Sequence, residues 1–225
     1  MKNLKYIIIS VAIIITILFI VKIKNTSEDV MKYMPVTNKT IILDAGHGGI
    51  DAGAQNGKII EKELNLILVK KLEKELVSRG CTVYLTRTND KDLSTTTVNR
   101  KRNDLYNRAK YINDISPDMY VSIHLNSTTS SNWKGFQVLY TNKNKENKLI
   151  ASTITEHISQ NISNVREIKQ DNTYYMYKYI TSPGILIEAG FISNPNENYL
   201  LRQEWYQDKL IKLIVDSIEI YFKNK

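Results

Sequence analysis

One cysteine and three histidines in 225 residues leave little from which to assemble a thiol or imidazole site. Cys81 alone excludes a disulfide within the chain and any zinc cluster built from its own thiolates. A histidine-based centre must draw on His47, His124 and His157. There is no internal repeat and no low-complexity tract, and neither the GxGxxG nor the P-loop pattern is satisfied. What the chain does have suits a folded domain. Apolar residues make up 42% and charged residues 24%, which excludes disorder and collagen-like repeats. The length fits one α/β domain with a proper core and little beyond it. Thirty-one basic residues against 23 acidic ones give a net charge of +8, which favours an anionic partner: nucleic acid, acidic lipid or an acidic polymer.

The N-terminus narrows that choice. Residues 6–21 read YIIISVAIIITILFIV, with Lys2 and Lys5 before them and Lys22 and Lys24 after. A basic start followed by a continuous apolar run is the pattern of a signal anchor or signal peptide. A helix of that length, at about 1.5 Å per residue, reaches roughly 24 Å, short of a bilayer core unless the lysines snorkel. No small-x-small cleavage site is obvious after the run, so residues 1–24 are expected to be an uncleaved anchor, with a cleaved signal as the alternative. Export makes nucleic acid a poor partner despite the charge. Residues 25–38, polar and containing Pro35, are expected to be a linker, and residues 39–225 a single catalytic domain.

After the linker, β-like runs alternate with amphipathic helices. Thr40, Ile41, Ile42 and Leu43 form a run of strand length ended by Asp44 and a glycine-rich turn. Leu64, Leu68, Leu72 and Leu76 recur at spacing four, which predicts a helix over 61–79 capped by Gly80. Strands are predicted at 82–85, 119–123, 135–140 and 184–187, and helices at about 98–114, 147–162 and 205–222. The alternation predicts a single three-layer α/β domain: a mostly parallel, twisted sheet flanked by helices on both faces, preceded by an N-terminal hydrophobic helix. Sites on such sheets lie beyond the carboxyl ends of the strands. His47 follows the first strand, His124 ends the third and Glu188 ends a late one.

Taken singly, these residues are weak signals. His47 in DAGHGG could be incidental to a tight turn. Glu61 could be an ordinary carboxylate at a helix N-terminus, with Glu63 competing on the same turn. His124 in VSIHLNS could be a satisfied strand-end histidine, and Asn126 could orient a ligand or merely begin a loop. His157, among polar neighbours, reads as a solvated surface residue. Glu188 in ILIEAGF follows three aliphatic residues, where burial costs several kcal/mol without a partner. Together, two histidines, a ligand carboxylate and a spare carboxylate make the inventory of a hydrolytic zinc site with an open position.

The runs ILDAGHGGIDAGAQNGKIIEKELNL, YLTR, NRAKYIN, DMYVSIHLNS, KGFQVLY and GILIEAGFISNP occur in this order. They resemble the zinc-dependent N-acetylmuramoyl-L-alanine amidases of the amidase-3 type over about residues 39–222. Ala45 stands where a proline often precedes GHGG. The resemblance implies one zinc ion held by His47, Glu61 and His124, which selects Glu61 over Glu63, and Glu188 as the catalytic residue. It implies hydrolysis of the amide between the lactyl group of N-acetylmuramic acid and L-alanine of the peptidoglycan stem. No wall-binding repeats accompany the domain, and in this the chain is most similar to germination-specific, spore-cortex amidases. That implies a step towards muramic-δ-lactam, a place on the outer face of the membrane or in the forespore intermembrane space or cortex, and an activating lipoprotein partner. The alternatives are a vegetative wall autolysin, a zinc peptidase acting within the stem, and a wall-binding domain without activity.

Overall fold

The computed structural model describes the backbone of residues 2–225; within the first helix, side chains are described for Tyr6, Ile9 and residues 11–24, and then from Met34 onward. That helix, α1 (Lys2–Tyr33), is followed by β1 (Thr40–Ala45), the two-residue strands β2 (Gln55–Asn56) and β3 (Ile59–Ile60), α2 (Glu61–Ser78), β4 (Thr82–Leu85) and α3 (Arg100–Ile115). Next come β5 (Met119–Asn126), β6 (Gln137–Tyr140), α4 (Asn147–Ser159), β7 (Lys169–Gln170), a 3₁₀ turn (Tyr175–Lys178), β8 (Gly184–Phe191), α5 (Pro195–Leu201) and α6 (Glu204–Asn224). Six strands form one sheet in the order β4-β1-β5-β8-β6-β7, and β2 pairs with β3 as a separate hairpin. Neighbours run parallel except β6 and β8, which are antiparallel.

The two-residue period of the strands sorts side chains between the layers. Ile41, Leu43, Val121, Ile123, Ile185 and Ile187 join the leucine stripe of α2 and the apolar faces of α4 and α6 in one core. Ile42, Tyr120, Leu186 and Leu139 face the other way and meet Ala109 and Ile112 of α3 with Met176 and Tyr177 of the 3₁₀ turn. Further along the strands this second face changes character. In the same alternation Ile42 gives way to Asp44, Tyr120 to Ser122 and His124, and Leu186 to Glu188. The polar end is the carboxyl end, where the turns of the domain leave room above the sheet.

The structure bears out the expected α/β sheet with helices on both faces, and an N-terminal helix is present. The helix expected at 147–162 ends at Ser159, and the strand expected at 184–187 continues to Phe191. The linker expected over 25–38 is helical as far as Tyr33. Val36 then lies wholly buried in the larger core, and the Asn38 N–H donates to the Gly80 carbonyl. The expected anchor, residues 1–24, lies partly outside the described side chains. Those described there, such as Ile13, Leu18 and Phe19, are exposed, and among the described residues no helix is long and apolar enough to cross a membrane.

Candidate metal centre

The first ligand position depends on a turn that two buried arginines hold in place. Asp44, fully buried near the end of β1, accepts from Thr86 Oγ1 (2.7 Å), Ser122 Oγ (2.6 Å) and Arg108 Nη1 (2.7 Å). Burial pushes the Asp44 carboxyl up, but the Arg108 guanidinium and the two hydroxyls outweigh it and hold the group down at about 2. Arg108 also donates to the Ala45 carbonyl (2.7 Å) and the His47 carbonyl (2.6 Å), and through Nε to Asp104 (2.9 Å). Arg87 donates to the carbonyls of Ala45 (2.9 Å), Gly46 (3.0 Å) and Lys62 (2.6 Å). Every carbonyl from 45 to 47 thus has a guanidinium donor, which fixes a loop whose backbone groups could not otherwise be satisfied away from water. His47 itself adopts φ +62°, a conformation few residues other than glycine take, so the loop geometry is imposed by these contacts.

Glu61 is delivered by the start of α2. The loop that enters the β2–β3 hairpin satisfies the first helical amides, since the Glu61 N–H donates to the Ala54 carbonyl and the Lys62 N–H to the Ala52 carbonyl. The Glu61 side chain turns inward and is buried, whereas Glu63 on the same turn is exposed. Glu61 Oε2 accepts from the Ala54 N–H (2.8 Å) and Oε1 from the Leu125 N–H (3.1 Å). Oε1 also lies 3.0 Å from His47 Nε2 and 3.2 Å from His124 Nδ1. Burial raises the pKa of Glu61, yet the two imidazoles more than reverse this and keep it ionised. His47 is held by a carboxylate on its other side, with Nδ1 2.9 Å from Asp51 Oδ2, and Lys101 Nζ contacts the same oxygen at 2.9 Å. Burial lowers the His47 pKa, while Glu61 and Asp51 raise it by more.

His124 comes from the carboxyl end of β5. Its ring meets that of His47 edge-on, with centroids 4.9 Å apart. Gly46 is required beneath it, because a Cβ there would overlap the His124 imidazole. The donor atoms of His47, Glu61 and His124 all lie within 4.8 Å of one another. Two imidazoles and one carboxylate converging at this spacing are the three-protein-ligand set of a catalytic zinc site. The Asp51 contact to the far nitrogen of His47 is the carboxylate brace such ligands usually carry. The residues therefore fit a single zinc ion.

Glu188 stands directly beside His124 in the register of β5 and β8, so the two side chains share a face. Both line a cleft with His47, Asp51, Leu105 and Tyr174. Glu188 Oε2 is buried and, among the described residues, has no hydrogen-bond partner. Burial drives its pKa up to about 7; Glu61 adds to the rise, and His124 and His47 offset part of it.

Of the residues singled out in the sequence, the structure brings together His47, Glu61, His124 and Glu188. Asn126 is not among the cleft-lining residues; its carbonyl accepts from the Ile192 N–H (2.9 Å) where β5 and β8 lose register. His157 is half-buried on α4 rather than solvated, with Nε2 enclosed, and is absent from the cleft. Sequence reasoning missed Asp51, Lys101 and Tyr174, whose hydroxyl lies 3.4 Å from His124 Nε2. Asp51, four residues beyond His47, was the only one with a local signal.

Comparison with known proteins agrees with this geometry. Residues 41–220 match the family described as N-acetylmuramoyl-L-alanine amidase. The germination-specific N-acetylmuramoyl-L-alanine amidase of Bacillus subtilis is 38% identical over 231 residues, covering 100% of this chain and 97% of that protein. The probable cell wall amidase LytH of Staphylococcus aureus is 35% identical over 193 residues, covering 84% of this chain and 60% of its own length. Among solved structures, the CwlD amidase of Clostridioides difficile, in complex with the GerS lipoprotein, superposes with a TM-score of 0.79 at 38% identity, covering 84% of this chain and 100% of that one.

Proposed function

The chain belongs to the N-acetylmuramoyl-L-alanine amidase family, and from that premise we propose that it hydrolyses the muramoyl–alanine amide with one zinc ion held by His47, Glu61 and His124 and with Glu188 as the catalytic base. The observation that carries this is the convergence of three donor atoms within 4.8 Å, beside a buried carboxylate oxygen that lacks a partner. A zinc ion bound there would supply Lewis-acid chemistry, acidifying water and polarising the lactyl carbonyl.

The remaining steps fall to the chain's own groups. Glu188, poised near neutrality, takes a proton from the attacking water as its oxygen adds to the lactyl carbonyl carbon. When the carbon–nitrogen bond breaks, the protonated Glu188 passes that proton to the departing alanine nitrogen. The products are a muramic acid lactyl carboxyl group and a stem peptide with a free α-amine. Asp51 fixes the orientation of His47, and the Asp44–Arg108–Arg87 cluster holds the turn that presents it.

We assign the substrate to spore cortex because of the full-length likeness to a germination-specific relative. We place the protein outside the cytoplasm, as a cell-wall enzyme whose lysine-flanked N-terminal run directs export. For the domain boundaries we propose an N-terminal segment over 1–24, a connector that ends with the first helix at Tyr33 rather than at residue 38, and a catalytic domain that takes in Val36 and runs to residue 225. The C. difficile amidase was solved in complex with a lipoprotein, and by that likeness we propose a lipoprotein partner for this chain, in the role of an activator. The test is product mass after incubating zinc-loaded protein with purified cortex and with vegetative peptidoglycan. Intact stems with a free alanine N-terminus, released faster from cortex, are expected. Internally cut stems would make it a peptidase, and preference for vegetative wall would make it an autolysin.

A further inference from the structure

A second concave surface draws on two segments that also contribute to the catalytic cleft, α3 and the residues that open the 3₁₀ turn. Lys101, Leu105 and Tyr174 line the cleft, while their chain neighbours Arg102, Tyr106 and Tyr175 line the groove. On α3, successive residues turn by about 100°, so one helix presents its first set inward and its second set outward. The cleft and the groove are thus lined by chain neighbours on the same two segments, Tyr174 facing one and Tyr175 the other.

We infer that this groove, between the first half of α3 and the 3₁₀ turn, binds free carboxylates of the peptidoglycan stem peptide. The inference rests on the amidase reading and extends it to a second subsite. No carboxylate lines the groove among the described residues; its polar groups are amides, hydroxyls and the Arg102 guanidinium. Arg102 lies 5.8 Å from the centroid of the Tyr175 ring and Lys178 Nζ 5.2 Å from it. Among the described residues neither cation has a carboxylate partner, whereas Lys101, Arg108 and Lys110 on the same helix are all ion-paired. Two cations held on an aromatic ring, without a counter-charge, suit an anion. The same arrangement argues against sugar stacking, because the cations already occupy the Tyr175 ring. Tyr106 and Tyr179 meet edge-on at 5.0 Å, and the Tyr175 and Tyr179 hydroxyls lie 3.2 Å apart, so the groove is prearranged.

Calorimetric titration of the full chain with a synthetic stem tetrapeptide, and with the same peptide carrying carboxamides, tests this. Amidation is expected to weaken binding at least tenfold, and the double variant Arg102→Gln/Lys178→Gln should abolish the discrimination while melting at the wild-type temperature. Equal binding of the two peptides by the wild type, discrimination that survives in the variant, or tighter binding of glycerol phosphate than of the stem would each overturn it. Cleavage of a disaccharide-peptide by the unaltered protein reports on the amidase reading separately, so either can fail while the other stands.

Discussion

Asp44 shows how a residue distant from the chemistry can decide whether the chemistry is possible. Its carboxylate neutralises Arg108, and Arg108 in turn holds the carbonyls of Ala45 and His47. Removing the charge by Asp44→Asn leaves a buried guanidinium with only Asp104 as counter-ion and is expected to cost about 3–5 kcal/mol, measurable by urea unfolding at pH 7. The sign of the pH dependence follows from the depressed pKa. With the folded value at about 2 and an unfolded value near 4, the contribution is fully present above about pH 4 and is lost as pH falls from about 4 towards 2. Its size is about 2 kcal/mol. The wild type should therefore lose stability more steeply than Asp44→Asn across that window; parallel slopes would remove Asp44 from the acid response. Among the ligands themselves, His47→Ala should bind less than one tenth of the zinc held by wild type at matched metal concentration, as read by elemental analysis, while keeping its fold. A fully loaded variant would sink that ligand assignment.

Regular elements with a strong period were legible from sequence. The leucine stripe predicted α2 to within a residue, and β4 was placed at its observed bounds. The alternation of strands and helices sufficed to bring His47, His124 and Glu188 to one edge. Elements too short to show a period were missed: β2, β3, β7 and the 3₁₀ turn, each set by its tertiary surroundings. α5 was missed despite a readable signal, an asparagine followed by proline. Asn194 Oδ1 accepts from the Asn196 N–H (3.1 Å) and the Glu197 N–H (3.2 Å). Asn194→Ala should lower stability by about 1 kcal/mol, visible as a shift in the urea midpoint without a change in slope. The supporting shell was unreadable for another reason. Arg87, Arg108 and Asp44 are charged residues in buried positions, and only the folded chain reveals that they satisfy one another. Arg108 does sit four residues from both Asp104 and Ile112, on the inward side of α3.

At the scale of the whole molecule, the described side chains of α1 are exposed while the domain proper begins its core at Val36. A protein beginning at Met34 should keep the thermal midpoint of the full chain within a few degrees; one beginning at Lys39 loses Val36 and should melt lower. Equal midpoints for the two would show that Val36 contributes nothing. The buried Cys81 thiol offers an independent report on the same core. Burial pushes its pKa up to about 12, so it stays protonated and shielded from alkylation at pH 8 for as long as the domain is folded.

The most direct measurement is the turnover of a soluble muropeptide by zinc-loaded Glu188→Gln, with metal content determined on the same sample. One zinc ion per chain with turnover reduced about 10²–10⁴-fold is the expected result, because the substitution keeps the ligands and removes only the proton acceptor. A zinc-loaded variant turning over at near the wild-type rate would contradict the assignment of Glu188 as the base.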